Sequence, residues 1–220
     1  MTSCDVITIG SLSRNRYWGE GEEKPRRQAR CTSTLIAVDG SRLLVDPSLA
    51  DAGEMASELD RRVGIGPGDV HAIFVTHAHG DHHAGLKHFP EARWLAAPDV
   101  AATINASGSY RKKLEPVVGT IWDVVEVIPT PGHTLNHHSL RFECDGMSIV
   151  VAGDAVMTRD FWRERRGYFN SVDFQLAAET MDMIARVADI VVPGHDNLVL
   201  NCAPRSGGSE SRPLIAKSPR

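Results

Sequence analysis

From position 75 the chain reads Val-Thr-His-Ala-His-Gly-Asp-His-His-Ala-Gly, and this stretch constrains the fold more than any other: residues 77–83 hold four imidazoles and a carboxylate. The run before it, Ala72-Ile73-Phe74-Val75, is short, apolar and rich in strand formers, which predicts a buried strand ending where the polar residues begin. The polar residues then sit on a loop at a strand's end. Imidazole and carboxylate suit Zn(II), Fe(II) or Mn(II), and packing so many of them together is costly unless a cation neutralises and orders them. A low-complexity histidine tract can chelate adventitiously, but the order here is H-x-H-x-D-H. Three later signals, Pro131-Gly132-His133, Gly153-Asp154 and Pro193-Gly194-His195, each follow an apolar run of their own. His83, His88 and His138 read as surface or satisfied histidines rather than ligands.

The order H-x-H-x-D-H, then His133, Asp154 and His195, resembles the metallo-β-lactamase-fold superfamily of metal-dependent hydrolases, across residues 5–197. The resemblance implies an α/β fold, a four-layered αβ/βα sandwich of two mixed sheets flanked by helices. It implies two divalent ions, Zn2+ first, with Fe2+ or Mn2+ as alternatives. His77, His79 and His133 would hold the first ion and Asp81, His82 and His195 the second, with Asp154 bridging them. In such a centre a metal-bound hydroxide is the nucleophile, and Asp81 would relay a proton besides acting as a ligand. Asp46, at the end of the strand over residues 42–45, would orient a ligand imidazole, or would simply occupy a turn before Pro47. His137 would support the ligands in the same way.

Within the superfamily, residues 130–140 and Gly194-His195-Asp196 are most similar to N-acyl homoserine lactone lactonases. Met157 stands where those enzymes carry a tyrosine, three residues after the bridging aspartate, and Tyr168 is the candidate to take its place. Glyoxalase II-type thioesterases share the ligands but carry a further substrate domain, for which no room is expected after Asn197. Flavodiiron oxidoreductases have an acid where His79 stands, and the lactamases with a cysteine ligand have it where Asp154 stands. The expected enzyme is a dinuclear hydrolase of a carboxylic ester, lactone or thioester. The alternative is a metal-dependent phosphodiesterase or ribonuclease of the same fold, because residues 67–70, 150–154 and 188–195 resemble small single-domain members that include a ribonuclease. Arg26, Arg27 and Arg30, or Arg159, Arg163, Arg165 and Arg166, would then supply cationic walls. A non-catalytic metal-binding protein is the minor alternative; loss of a ligand would have marked it, and every ligand position is filled.

The 220 residues suffice for one core, predicted as a single domain over residues 1–202 with a disordered tail over 203–220, where Ser, Gly, Pro and Arg predominate. A net charge of −4 argues against a broad nucleic-acid surface. The N-terminus lacks a secretory pattern, no apolar run approaches a membrane span, and the four cysteines form no C-x-x-C pair, which predicts reduced thiols in a cytoplasmic protein. The expected partner is a small-molecule substrate, with no membrane; a homodimer is compatible with the chain, and nucleic acid enters only through the phosphodiesterase alternative. Residues 11–30 read as a solvated loop rich in arginine, or as a cover for the metals in which Tyr17 and Trp18 form a hydrophobic lid and the arginines meet an anionic substrate. Apolar spacing predicts helices over residues 50–63 and 172–188, Asp39-Gly40 predicts a hairpin turn, and Cys144-Asp145-Gly146 a second. The basic cluster Arg111, Lys112 and Lys113 reads as a solvated face.

Overall fold

A computed structural model describes residues 1–202; the tail expected over 203–220 lies outside the described residues. Two six-stranded sheets divide the chain in sequence order. The first contains β1 (Thr2–Thr8), β2 (Ser33–Val38), β3 (Ser41–Val45), β4 (Ala72–Val75), β5 (Arg93–Ala96) and β6 (Glu115–Pro116), hydrogen-bonded in that order. The second contains β7 (Thr120–Ile121), β8 (Val125–Pro129), β9 (His138–Cys144), β10 (Met147–Gly153), β11 (Ile190–Pro193) and β12 (Val199–Leu200), also neighbours in chain order. β3, β4 and β5 run parallel, as do β10 and β11, while the hairpins are antiparallel, so both sheets are mixed.

The central strands are apolar throughout because both of their faces are covered. In β4, Ala72 and Phe74 join a core between the sheets, while Ile73 and Val75 join a second core under helices. In β10, Ile149 and Val151 face the inter-sheet core, and Val150 and Ala152 face the opposite way. This period of two, repeated in β3, β5 and β11, makes four layers out of one alternation. On the outer face of the first sheet lie α1 (Ala52–Val63), which buries Met55 and Leu59, and α3 (Pro98–Ala106), which buries Val100 and Ile104; the single turn α2 (Gly80–His83) belongs to the His-rich loop. On the second sheet lie α4 (Arg159–Glu164), through Trp162, and α5 (Phe174–Val187), through Ala177, Met181 and Ile184.

Helix ends differ from the sequence expectations by a residue or two, for a physical reason. Asp51 and Asp173 act as caps: their side chains accept from Glu54 N at 2.8 Å and Leu176 N at 2.9 Å, so α1 begins at Ala52 and α5 at Phe174. The Asp39-Gly40 hairpin has φ of 48° and 88° at its two central residues, the left-handed pair that a tight hairpin needs. Periodicity did not reveal β6, β7 or β12, because two residues cannot establish a period. The four cysteines are unpaired. Among the described residues no helix is long and apolar enough to cross a membrane.

Candidate metal centre

Strand ends from both sheets converge at one edge of the sandwich. β4 leads into Thr76 through His82, β8 into His133, β10 into Asp154 and β11 into His195, while β3 ends at Asp46. The nitrogens of His77 (Nε2) and His133 (Nε2) each lie 2.9 Å from His79 Nδ1. Asp154 Oδ2 faces this group, 3.3 Å from His133 Nε2 and 3.7 Å from His77 Nε2. The other oxygen, Oδ1, faces a different group, 3.1 Å from His82 Nε2 and 3.3 Å from His195 Nε2, and Asp81 Oδ2 stands 3.6 Å from His195 Nε2. Four donors around a metal with bonds of roughly 2.0–2.1 Å sit about 3.3–3.4 Å apart at the corners of a tetrahedron. The observed separations bracket that value.

Hydrogen bonding alone does not satisfy these atoms. His79 Nδ1 offers one proton or one lone pair, yet two imidazole nitrogens converge on it. His82 Nε2 and Asp154 Oδ1 are buried without a hydrogen-bond partner, which is costly for polar atoms unless a cation engages them. The donor set of imidazoles and carboxylates therefore fits divalent cations.

Behind the donors a second set of contacts fixes the rings. Asp46 Oδ2 accepts from His82 Nδ1 and from Thr76 Oγ1, both at 2.8 Å, and Oδ1 accepts from the Thr76 N–H at 2.8 Å. Since the Thr76 hydroxyl donates to Asp46, its oxygen accepts from His77 Nδ1 at 3.1 Å. One buried carboxylate thus presents the Nε2 lone pair of a histidine in each group. His195 Nδ1 donates to Arg30 O at 2.8 Å, and Arg159 holds the next residue, Asp196, through Nε at 2.8 Å and a second nitrogen at 3.0 Å. His137 lies behind the first group, its ring 4.9 Å from that of His77; its Nδ1 donates to Thr130 Oγ1 at 2.8 Å, because Thr130 donates onward to Ser139 and Ser139 to Ala152 O. No bond from His137 to another histidine or to Asp154 is seen among the described residues.

The electrostatics separate the two groups. Burial pushes His77 and His79 below the usual imidazole range and His133 down to about 4, leaving their lone pairs free for a cation. Burial also disfavours charge on His82 and His195, but the neighbouring anionic groups, Asp154 foremost, together outweigh it and lift both. Asp154 in turn stays ionised despite its burial, because His82 and His195 face it. A cation bound there would displace protons from His82 and His195, whereas Asp154 is already ionised and has none to lose.

The donors open into a cavity of about 330 Å³ lined by His79, Asp81, Asp154 and His195 on one side and by Leu12, Arg14, Met157, Tyr168 and Phe169 on the other. Met157 and Tyr168 reach the cavity as the sequence suggested, but the Tyr168 hydroxyl donates to Arg14 O at 2.8 Å and so is already engaged. Tyr17 and Trp18 are not brought to the cavity: Tyr17 packs edge-on against Phe161 with ring centres 5.0 Å apart and lines a separate depression, and Trp18 is 59% exposed beside Arg27. His83 turns away to Tyr110 Oη at 2.8 Å. Thr76 and Phe169 were not anticipated from the sequence, and Arg14 was anticipated only as one of several arginines in its loop. Thr76 directly precedes the first histidine at a strand end, which was a usable signal; Phe169 lies in a loop far from the ligand motifs and gave none.

Fold and site together define an α/β sandwich with a buried His/Asp cluster that fits divalent cations at the edge of its paired sheets. The family profile described as the metallo-beta-lactamase superfamily matches residues 26–195, and the chain belongs to this superfamily of metal-dependent hydrolases. It is 29% identical over 174 residues to metallo-beta-lactamase domain-containing protein 1 of Xenopus laevis, covering 73% of this chain and 72% of that one. Hydroxyacylglutathione hydrolase of Xanthomonas axonopodis and ribonuclease Z of Mycolicibacterium gilvum are each 27% identical to it over 77% and 64% of this chain, which spans 62% and 61% of their lengths. Among solved structures, a metallo-beta-lactamase of Thermotoga maritima superposes with a TM-score of 0.68 at 19% identity, over 90% of this chain and 99% of that one. The dizinc quorum-quenching lactonase AidC gives 0.65 at 16% identity, over 78% and 75%. These two likenesses establish the fold.

Proposed function

We propose that the protein is a hydrolase of a carboxylic ester, lactone or thioester, working at a two-ion centre built from His77, His79, His133, Asp81, His82, His195 and the bridging Asp154. The observation that carries this reading is the disposition of Asp154, whose two oxygens face two different histidine groups. Divalent ions bound there, Zn2+ in the first instance, would activate water as a nucleophile and polarise the substrate carbonyl. The chain's own residues do the rest. Asp46 and Thr76 fix the tautomers of His82 and His77, so the donors need no reorganisation. Asp81, the most open of the site's carboxylates at 28% exposure, would take the proton of the attacking water and return it to the leaving group. Leu12, Met157 and Phe169 line the same cavity and would shield an apolar part of the substrate from water.

A small-molecule substrate suits a cavity of about 330 Å³. Four of the seven arginines that a phosphodiester would need are paired with carboxylates, Arg159 with Asp196, Arg165 with Asp182, Arg27 with Glu20 and Arg30 with Glu54. The test is a chromogenic carboxylic ester and bis(p-nitrophenyl) phosphate assayed side by side on metal-loaded wild type and Asp154→Ala. The proposal expects ester cleavage that the substitution abolishes while the variant stays folded. A wild type that cleaves only the phosphodiester, or a variant with full activity and one ion, contradicts it.

A further inference from the structure

The loop over residues 11–30 carries Arg14, Arg16, Arg26, Arg27 and Arg30, and the structure sorts them. Arg16 pairs with Glu22, Arg27 with Glu20 and Arg30 with Glu54, and Arg26 is exposed. Arg14 alone lines the cavity of the metal centre, and no carboxylate among the described residues pairs with it. Its guanidinium lies over the Phe169 ring at 4.2 Å from the centroid, a contact that restrains the group. One terminal nitrogen donates to Glu22 O, and Nε is buried without a partner. The backbone is anchored as well: the Tyr168 hydroxyl donates to Arg14 O at 2.8 Å, and Phe169 follows Tyr168 directly. A partly buried, restrained cation, without a counter-charge and sharing a cavity with the reacting centre, lacks one component.

We infer that Arg14 is a specificity-determining residue that binds an anionic group on the acyl side of the substrate, so that the preferred substrate is an ester, lactone or thioester whose acyl chain ends in a carboxylate or phosphate. This rests on the hydrolase reading above. A planar guanidinium matches the two oxygens of such a group with parallel N–H donors, which an ammonium does not reproduce. The stacking on Phe169 and the Tyr168 anchor leave little side-chain freedom to lose when the anion arrives. The apolar lining from Leu12 and Met157 lies in the same cavity and suits the methylenes of a short chain.

The test has a kinetic arm and a binding arm, both on metal-loaded protein. In the first, mono-p-nitrophenyl esters of succinate, glutarate and adipate are compared with p-nitrophenyl butyrate on wild type, Arg14→Gln and Arg14→Lys. At least one dicarboxylic ester should exceed butyrate in kcat/KM, and Arg14→Gln should lower that value by about 10–100-fold, mostly through KM, as expected for loss of a charge-assisted hydrogen bond. Butyrate should change less than about threefold, and Arg14→Lys should recover only part of the loss because it restores charge without the fork. In the second arm, glutarate, 3-phosphonopropionate and butyrate are titrated calorimetrically, and glutarate or the phosphonate should bind more tightly than butyrate by a margin that Arg14→Gln removes. Equal losses on the neutral and the anionic esters, or no difference between wild type and Arg14→Gln in binding, overturn the inference. A wild type that hydrolyses none of the esters removes the hydrolase reading alone, and the calorimetric comparison still decides the role of Arg14.

Discussion

Replacing Gly194 by alanine tests how tightly the fold dictates the metal centre. A Cβ at this position would lie 2.0 Å from Asp154 Oδ1, and 2.9 and 3.0 Å from Gly153 C and Asp154 N. The two backbone contacts leave no room for the methyl to swing aside, so the carboxylate must retreat by roughly 1.5 Å to restore an ordinary contact. Metal–ligand distances tolerate about 0.2 Å. The affected oxygen is the one facing His82 and His195, so the second group should fail first and the His77, His79, His133 group should persist. Overpacking of this kind costs about 1–3 kcal/mol. Wild type saturated with metal at 100 times its dissociation constant gains about 2.7 kcal/mol per ion, or roughly 5–10 °C in Tm for a domain of this size. Metal content by mass spectrometry and melting curves with and without added Zn2+ should show Gly194→Ala retaining about one ion where wild type holds two, with roughly half the metal-induced rise in Tm. A variant with the wild-type stoichiometry and the wild-type rise refutes the argument that this glycine makes room for a bridging carboxylate.

Three further outcomes are expected. Asp46→Asn removes the acceptor shared by His82 and Thr76 and should weaken metal affinity about 10–100-fold by competition with a chelator, with no comparable loss of stability in the metal-free protein. Gly132→Ala combines a φ of +132° with a Cβ 2.4 Å from Ala177 Cα, so it should destabilise by more than about 2 kcal/mol in urea unfolding; an unchanged midpoint would show that α5 can shift. Cys4 and Cys31 have thiols pushed up to about 12 by burial, so in the native state at pH 8 a thiol reagent should modify the exposed Cys202 first and leave those two until unfolding; early modification of Cys31 would mean that the site opens.

What the sequence made legible, and what it did not, follows from how each signal arises. The donors lie at strand ends and sit in short local motifs, so their residue types and their order are readable without coordinates, and the two mixed sheets covered by helices were expected from the family resemblance those motifs carry; the strands themselves are apolar on both faces and show no alternation that would sort the layers. The pairing of Asp46 with both His82 and Thr76 is a product of β3 lying beside β4, a long-range register that no local pattern encodes. The cavity wall is least readable of all. Arg14 meets Phe169 from the opposite end of the chain, whereas Tyr17 and Trp18, the conspicuous aromatics of the same loop, turn to Phe161 and to Arg27. Composition marked that loop as cationic, but only packing distinguishes Arg14, the arginine of the loop that lines the cavity with no carboxylate paired to it among the described residues.

The most direct test of the central claim is anomalous diffraction at the zinc edge from crystals of the metal-loaded protein. The account predicts two peaks, one within His77, His79 and His133 and one within Asp81, His82 and His195, with one oxygen of Asp154 directed at each. A single peak, or two peaks that share no contact with Asp154, would contradict it.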